Sequence, residues 1–190
     1  MGHPRLNPHP AKKKVGWDTP GLNPHPAKKK VGWDTWLSAE NSRKEETMPE
    51  PLLTYRGTVY PWHCDHMGHM NVMWYVGKFD EATWHLLAAL GATGTRLRKD
   101  GLGMAAVEQR IEYKRELVAG DLLTIHSYVQ EVREKAVVFV HEMTNQETQE
   151  LAARTTLVGV CIDTTTRKGR PLPEDMRERA VRLRAERIEE

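Results

Sequence analysis

The chain has 190 residues, of which 39% are hydrophobic, and it carries a formal net charge of +2. This length suits one domain of ordinary size with appendages. The charge is unevenly distributed, because residues 1–47 carry +4 and the remainder carries −2. The basic character therefore belongs to the N-terminal segment, and the body of the chain gives no general case for nucleic-acid binding.

Composition also argues against membrane and secreted proteins. No segment approaches the roughly 18 consecutive apolar residues of a membrane span, and the N-terminus lacks the apolar stretch of a secretory signal. Only two cysteines occur, Cys64 and Cys161. One disulfide between them is possible, but reduced thiols are the simpler interpretation. We therefore expect a cytoplasmic protein without membrane contact.

Residues 1–47 contain a tandem repeat. The 14-residue segment Leu6–Thr19 recurs unchanged as Leu22–Thr35. Two copies are too few for a repeat fold, and each copy is rich in proline and lysine, which gives little apolar surface to offset the entropy of ordering. We interpret residues 1–47 as a disordered basic extension. A lysine and tryptophan arm for an acidic or nucleic-acid partner is the alternative.

A dense polar cluster occurs at residues 64–71, with the sequence Cys-Asp-His-Met-Gly-His-Met-Asn. It is followed by apolar residues spaced three or four apart, which predicts a helix over Val72–Leu90 that ends at Gly91. The cluster therefore lies at the mouth of a helix, where free backbone N–H groups and the positive end of the helix dipole are available.

The other elements are mainly strands. Leu52–Tyr60 reads as a strand before the cluster, and residues 91–103 read as a glycine-rich loop after the helix. Four strands joined by short polar turns follow, which favours antiparallel neighbours; they cover Met104–Lys114, Leu122–Val132, Ala136–Thr144 and Leu151–Asp163. In the first of these, alternation predicts one face carrying Ala105, Val107, Gln109, Ile111 and Tyr113. Residues 171–190 are highly charged and predict a solvated C-terminal helix. The order β-α-β-β-β-β predicts an α+β fold in which a curved sheet wraps around one helix.

Here the sequence resembles the hotdog-fold acyl-CoA thioesterases of the 4-hydroxybenzoyl-CoA thioesterase type. The resemblance is carried by Val59, Cys64, Asp65, Gly68 and Tyr75, and by the element order over residues 52–163. The residues Gly68-His69-Met70-Asn71 resemble the G-H-x-N variant found among acyl-CoA and acyl-carrier-protein thioesterases. The resemblance implies a hotdog domain, to which we assign residues 48–170, and hydrolysis of an acyl-CoA or acyl-carrier-protein thioester. It also implies a homodimer or homotetramer and no cofactor.

Thioester hydrolysis needs an activated water or a nucleophile, and a group that stabilises the oxyanion. The resemblance assigns the first role to Asp65, which would attack the thioester directly or act as a general base on water; helix capping is the alternative. It assigns the oxyanion site to the backbone N–H of Val72. Asn71 is placed either to cap the helix or to contact substrate. His69 would orient Asp65, contact the thioester or fill a polar pocket.

The same residue types also occur in other kinds of site. The cluster offers possible metal ligands in His63, Cys64, Asp65, His66 and His69, but they lie on one short loop without a second ligand group downstream, so we expect no metal. Cys64 is better explained by packing than as a nucleophile. Asp80 and Glu81, on the helix, are interpreted as surface charge. Basic residues that could bind CoA phosphates are Arg115, Arg133, Lys135, Arg167, Lys168 and Arg170.

Two other functions remain open from the sequence. A hotdog hydratase or dehydratase would pair an acid with a histidine, which Asp65 and His69 could imitate. A non-catalytic acyl-CoA-binding protein would have no need of Asp65. Release of free thiol from an acyl-CoA separates these possibilities from hydrolysis.

Overall fold

The computed structural model describes residues 50–184. The interpretation of residues 1–47 and the last residues of the C-terminal segment lie outside this range. Five strands form one sheet, with bounds β1 Leu52–Thr58, β2 Leu102–Tyr113, β3 Leu122–Val132, β4 Ala136–Asn145 and β5 Leu151–Asp163. Three α-helices accompany them, with bounds α1 Val72–Ala89, α2 Gly94–Asp100 and α3 Glu174–Arg182. A 3₁₀ turn at Pro61–His63 joins β1 to the polar cluster.

The sheet has the order β1-β3-β4-β5-β2, and every neighbouring pair is antiparallel. Helix α1 packs against one face of this sheet through the buried Tyr75, Phe79, Ala82 and Leu86. These positions recur every three or four residues because one side of the helix faces the core. The predicted α+β fold, a sheet around a central helix, is confirmed.

The loop predicted for residues 91–103 is wrong, because α2 lies within it. The side chain of Thr93 accepts a hydrogen bond from Arg96 N and caps this helix, while Gly101 ends it in the left-handed conformation. Seven residues with a single buried apolar side chain, Leu97, carry too little periodicity to be recognised between glycines.

The predicted alternation in β2 is only partly correct. A β-bulge falls between Ala106 and Glu108. Residues paired across antiparallel strands share one face of the sheet, so the pairs Met104–Cys161, Ala106–Gly159 and Tyr113–Ala153 define the face towards α1. This face therefore carries Met104, Ala106, Gln109, Ile111 and Tyr113, and the extra residue at the bulge removes Ala105 and Val107 from it.

The C-terminal helix is not simply solvated. Met176 and Ala180 of α3 are buried in the same apolar cluster as Leu86 of α1 and Leu90, the residue that follows α1. Arg96 donates two hydrogen bonds to Asp175, at 2.5 and 2.7 Å, which ties α2 to α3. After α3, the carbonyl of Leu183 accepts a hydrogen bond from Val129 N at 3.0 Å, where β3 extends beyond its pairing with β1.

Candidate active site

The polar cluster folds into a tight loop whose C-terminal end is hydrogen-bonded to the core. Cys64 and Met70 form an isolated antiparallel bridge, and Asp65 N donates to the His69 carbonyl at 3.2 Å. Gly68 turns the chain with a φ of +84°, a conformation that costs a side-chain-bearing residue energy. Met70 N donates to the Leu117 carbonyl at 2.7 Å, which fixes the exit of the loop. The loop thus presents Asp65 beside the start of α1.

Both oxygens of the Asp65 carboxylate accept hydrogen bonds. Oδ2 accepts from Asn71 Nδ2 at 2.7 Å, and Oδ1 accepts from Met67 N at 2.9 Å. These donors favour the charged form, so the pKa of Asp65 lies below its ordinary value, first through the Asn71 amide and then through the Met67 N–H. Asp65 is therefore ionised at neutral pH, as a nucleophile or a general base must be.

Asn71 has two roles at once. Its Oδ1 accepts a hydrogen bond from Met73 N at 3.0 Å and caps α1, while its Nδ2 holds Asp65. The predicted capping is confirmed. Since one amide makes both contacts, the position of the Asp65 carboxylate is coupled to the first turn of α1.

Val72 is the first residue of α1, and its side chain is 57% exposed. Within residues 50–184 its backbone N–H makes no hydrogen bond, whereas the next two N–H groups are used: Met73 N donates to the Asn71 side chain and Trp74 N to the Asn71 carbonyl. A free N–H at a helix N-terminus, where the dipole is positive, can donate a hydrogen bond to a negatively charged oxygen.

An open cavity of about 340 Å³ lies next to this N-terminus. Its wall is formed by His69, Met70, Val72, Tyr75, Tyr113, Lys114, Arg115 and Glu116. Two of the predicted site residues, His69 and Val72, line it directly. Asp65 and Asn71 do not line it, but Asn71 adjoins Val72 in the chain and binds Asp65.

His69 does not orient Asp65 by a hydrogen bond in the part of the chain that the structure describes. Its Nδ1 lies 3.4 Å from the Met70 carbonyl oxygen, and its Nε2 lies 3.7 Å from Glu116 Oε1. The ring therefore lies at the cavity wall, near Glu116. Of the three predicted roles, this geometry fits a substrate contact or a polar wall.

Sequence reasoning missed the contribution of the end of β2 to this cavity. Tyr113 packs edge-on against Tyr75 with ring centroids 5.2 Å apart. Tyr75 donates from its hydroxyl to the Arg115 carbonyl at 3.4 Å, and burial raises its pKa to about 12, so it stays neutral. The alternation of β2 places Tyr113 on the inner face, which was a usable signal, whereas nothing in the sequence pointed to Glu116.

The remaining candidates lie outside this chemistry. His63 is buried; its Nδ1 accepts from Tyr60 N at 3.1 Å and burial lowers its pKa. Cys64 packs partly buried against the core, and both Cys64 and Cys161 are free thiols. Of the six basic candidates for CoA phosphates, Arg115 alone lines the cavity. Asp80 and Glu81 are both exposed on α1.

Within residues 50–184, neither a metal-binding cluster nor a membrane-spanning helix is present. No group of three or more His, Cys, Asp or Glu in this range is arranged to hold a metal ion. No helix in the same range is both long and apolar enough to cross a membrane.

A central helix packs against an antiparallel sheet, and an ionised carboxylate lies beside the N-terminus of that helix. This arrangement defines a hotdog protein of the thioesterase class. Residues 59–180 match the family described as the thioesterase-like superfamily. The chain belongs to this family, and it is accordingly an enzyme of the thioester hydrolase class.

Individual relatives agree with this assignment. Over 122 residues the chain is 28% identical to the long-chain acyl-CoA thioesterase FadM of Escherichia coli (strain K12), covering 64% of this chain and 92% of that protein. The probable thioesterase YbaW of Escherichia coli has a similar structure, with a TM-score of 0.60, 25% identity, and coverage of 70% and 98%. Protein SAV2348 of Staphylococcus aureus, solved in complex with CoA, has a TM-score of 0.68, 19% identity, and coverage of 74% and 90%, which supports the fold.

Proposed function

We propose that the chain hydrolyses acyl-CoA thioesters to free acid and thiol, with Asp65 as the reacting carboxylate and the N–H of Val72 as the oxyanion site. One observation carries the proposal: an ionised carboxylate, held by Asn71 Nδ2 and Met67 N, adjoins a helix N-terminus whose first N–H has no partner among residues 50–184. One such donor is worth about 2.7–4 kcal/mol in the transition state. In this proposal Asp65 supplies the nucleophile or the base, and Val72 N donates a hydrogen bond to the oxyanion of the same reaction.

The chemistry of Asp65 has two forms that this geometry supports. As a nucleophile, a carboxylate oxygen bonds to the thioester carbon, the thiolate leaves, and water then cleaves the mixed anhydride. As a general base, Asp65 takes a proton from a water that attacks the same carbon. Label found in the Asp65 side chain after a single turnover in ¹⁸O-labelled water identifies the anhydride, because water that attacks the Asp65 carbonyl carbon leaves its oxygen there, whereas general-base hydrolysis places the label only in the product acid.

The substrate is proposed as an acyl-CoA, with an acyl-carrier-protein thioester as the alternative carrier. The relative FadM is named a long-chain acyl-CoA thioesterase, and SAV2348 was solved with CoA. At the cavity, Lys114 and Arg115 supply positive charge that suits the phosphates of CoA. We further propose that the enzyme is of the 4-hydroxybenzoyl-CoA thioesterase type and carries the G-H-x-N variant of its motif. We also propose that it is located in the cytoplasm.

The contacts of His69 argue against a hydratase. That reaction would pair an acid with a histidine, but no hydrogen bond joins His69 to Asp65 among the described residues, and His69 Nε2 lies 3.7 Å from Glu116 Oε1. Asp65 is ionised and accepts two hydrogen bonds, and a simple acyl-CoA-binding protein would not need such a carboxylate. These observations support hydrolysis over the two alternatives.

The test is thiol release from a panel of acyl-CoAs by the full-length protein and by Asp65→Asn. Asparagine keeps the size of the side chain but removes both nucleophile and base, so we expect the rate to fall by about 10²–10⁴-fold. Glu81→Gln, which neutralises an exposed carboxylate on α1, is the matched control and should keep the rate.

Two results contradict the proposal. Equal thiol release by the protein and by Asp65→Asn removes Asp65 from the chemistry. Binding of acyl-CoA without any thiol release by the unaltered protein removes hydrolysis itself and favours the hydratase or the binding protein.

A further inference from the structure

His63 ends the 3₁₀ turn that leads into the polar cluster, and the proposed hydrolysis gives it no part so far. Its side chain is only 6% exposed. By contrast, Trp62 of the same turn is 67% exposed, and Tyr60, which precedes the turn, is 47% exposed. The chain here buries a polar ring and leaves two larger aromatic rings in solvent, which reverses the usual preference. The polar contacts of the imidazole are therefore the reason for its position.

Two hydrogen bonds join the ends of this turn in opposite directions. The backbone N–H of Tyr60 donates to His63 Nδ1 at 3.1 Å, and the backbone N–H of His63 donates to the Tyr60 carbonyl at 2.8 Å. The side chain thus satisfies a backbone donor at the start of the turn, as the third residue of a capping box does. Because Nδ1 accepts, the ring is a neutral imidazole with its proton on Nε2.

The surroundings of His63 favour that neutral form. Burial, and then the positive charge of Lys78 on α1, lower the pKa of His63. Lys78 is itself 4% exposed, and its Nζ donates to the Tyr55 hydroxyl at 3.1 Å and to the Thr58 carbonyl at 3.5 Å. The ring of Trp74, also on α1, lies 4.2 Å from the imidazole between centroids and adds no charge. Nδ1 of His63 therefore remains an acceptor at neutral pH.

The turn is connected to the reacting carboxylate through Asn71. The backbone N–H of Asn71 donates to the His63 carbonyl at 2.9 Å, while the Asn71 side chain donates to Asp65 Oδ2 at 2.7 Å. Asn71 is thus hydrogen-bonded to the turn by its backbone and to Asp65 by its amide. The next residue, Val72, carries the N–H proposed as the oxyanion site. Both reacting groups therefore depend on where the turn places Asn71.

We propose that His63 is a positioning residue for the hydrolysis, whose Nδ1 holds the turn that places Asn71 and, through it, Asp65. The inference rests on the proposed function, in which Asp65 is the reacting carboxylate. It gives a role to the acceptor atom of a buried histidine that does not line the cavity at Val72. Because a displacement of about 1 Å at a reacting group can cost about 10²-fold in rate, the role should be visible in kcat.

Two substitutions separate the acceptor of His63 from its ring. His63→Asn places an amide oxygen near the position of Nδ1 but has no ring, whereas His63→Phe keeps a ring against Trp74 but has no acceptor. The full-length proteins are compared with an acyl-CoA that the unaltered protein hydrolyses. We expect kcat to fall by about 10–100-fold in His63→Phe and to stay within about threefold in His63→Asn.

Binding of a substrate analogue separates positioning from a general loss of structure. S-hexyl-CoA is a thioether, so it has no carbonyl carbon for Asp65 and no carbonyl oxygen for Val72 N. Its Kd, measured by calorimetry, should be the same in the unaltered protein and in both variants. His85→Phe makes the same substitution at an exposed histidine of α1 and should change neither kcat nor Kd. Thermal melts establish that each protein is folded.

An unchanged kcat in His63→Phe overturns the inference, and so does an equal loss of kcat in the phenylalanine and asparagine variants. If His63→Phe does not fold, His63→Gln takes its place, because it carries the same amide one carbon further from the backbone, out of reach of Tyr60 N. Equal kcat values for the glutamine and asparagine variants then overturn the inference. Absence of thiol release by the unaltered protein is a different result, which removes the proposed function and this inference with it.

Discussion

Asn71 connects the reacting carboxylate with the helix that would stabilise the oxyanion. Its oxygen accepts from Met73 N and its nitrogen donates to Asp65 Oδ2. Only an amide offers an acceptor and a donor of this geometry in one short side chain. We therefore regard Asn71 as a positioning residue whose loss acts through Asp65.

The two contacts of Asn71 can be separated by substitution. Serine keeps a capping oxygen but is too short to reach Asp65, whereas alanine loses both contacts. Removal of the Asn71 donor raises the pKa of Asp65 towards its ordinary value, so in Asn71→Ser the acid limb of the pH profile of kcat/KM moves to higher pH. Asn71→Ala should show the same shift and, in addition, lose about 0.5–2 kcal/mol of stability with its cap.

Denaturant titrations at neutral pH measure the stability difference, and the pH profiles measure the pKa. An acid limb that stays in place in both variants would mean that Asn71 does not control the ionisation of Asp65. Equal stability of the serine and alanine variants would mean that the cap is not what the oxygen contributes.

The residues near the helix mouth were predictable because they are neighbours in sequence. Asp65, Asn71 and Val72 fall within eight positions, and the start of a helical pattern shows where they lie. Tyr113 and Glu116 reach the same cavity from the end of β2. The position of these two residues at the cavity depends on the pairing of β2 with β5 and on the packing of α1. A local sequence pattern contains information on neither.

At the level of elements, β2 shows how one residue changes a prediction. Strict alternation would place Val107 on the inner face, but the bulge after Ala106 shifts the phase. Alternation holds again from Gln109 to Tyr113. For these residues the predicted face of the strand was correct. A bulge is set by the partner strand and its twist, so the sequence of β2 alone did not reveal it.

Two glycines predict opposite effects of the same substitution. Gly68→Ala forces a side chain into the left-handed conformation and should cost about 1–2 kcal/mol of unfolding free energy. Gly77→Ala lies within α1 with nothing near the new methyl group, and it should stabilise the protein by about 0.5–1 kcal/mol.

Urea unfolding of both variants against the unaltered protein measures these changes. Since Gly68 turns the loop that carries Asp65, its variant should also lose thioesterase rate, whereas Gly77→Ala should keep it. Destabilisation of both proteins by a similar amount would contradict the assignment of strain to Gly68.

At the scale of the whole molecule, β2 forms an edge of the sheet, and its residues 106–110 are all exposed. Val107 is 62% exposed at the bulge. A long edge strand with exposed backbone and apolar side chains is a template for pairing with another strand. We therefore propose a homodimer through β2, or a homotetramer built from such dimers.

Val107→Lys places a charge on this edge and should shift the protein towards monomers, which light scattering after size-exclusion chromatography measures. Val181→Lys, on α3, alters a valine of similar exposure, 54%, and should leave the mass unchanged. An unaltered protein that elutes as a monomer, or a Val107→Lys protein with unchanged mass, would contradict an interface at β2.

The attachment of α3 has a consequence for how the chain is made. Synthesis on the ribosome proceeds from the N-terminus, so α1 and β3 emerge long before Met176, Ala180 and Leu183. Until they emerge, the cluster around Leu86 and Leu90 is incomplete and Val129 N lacks its final acceptor. The nascent protein therefore completes its core only after α3 has emerged, and until then its open apolar end is a surface for chaperones to bind.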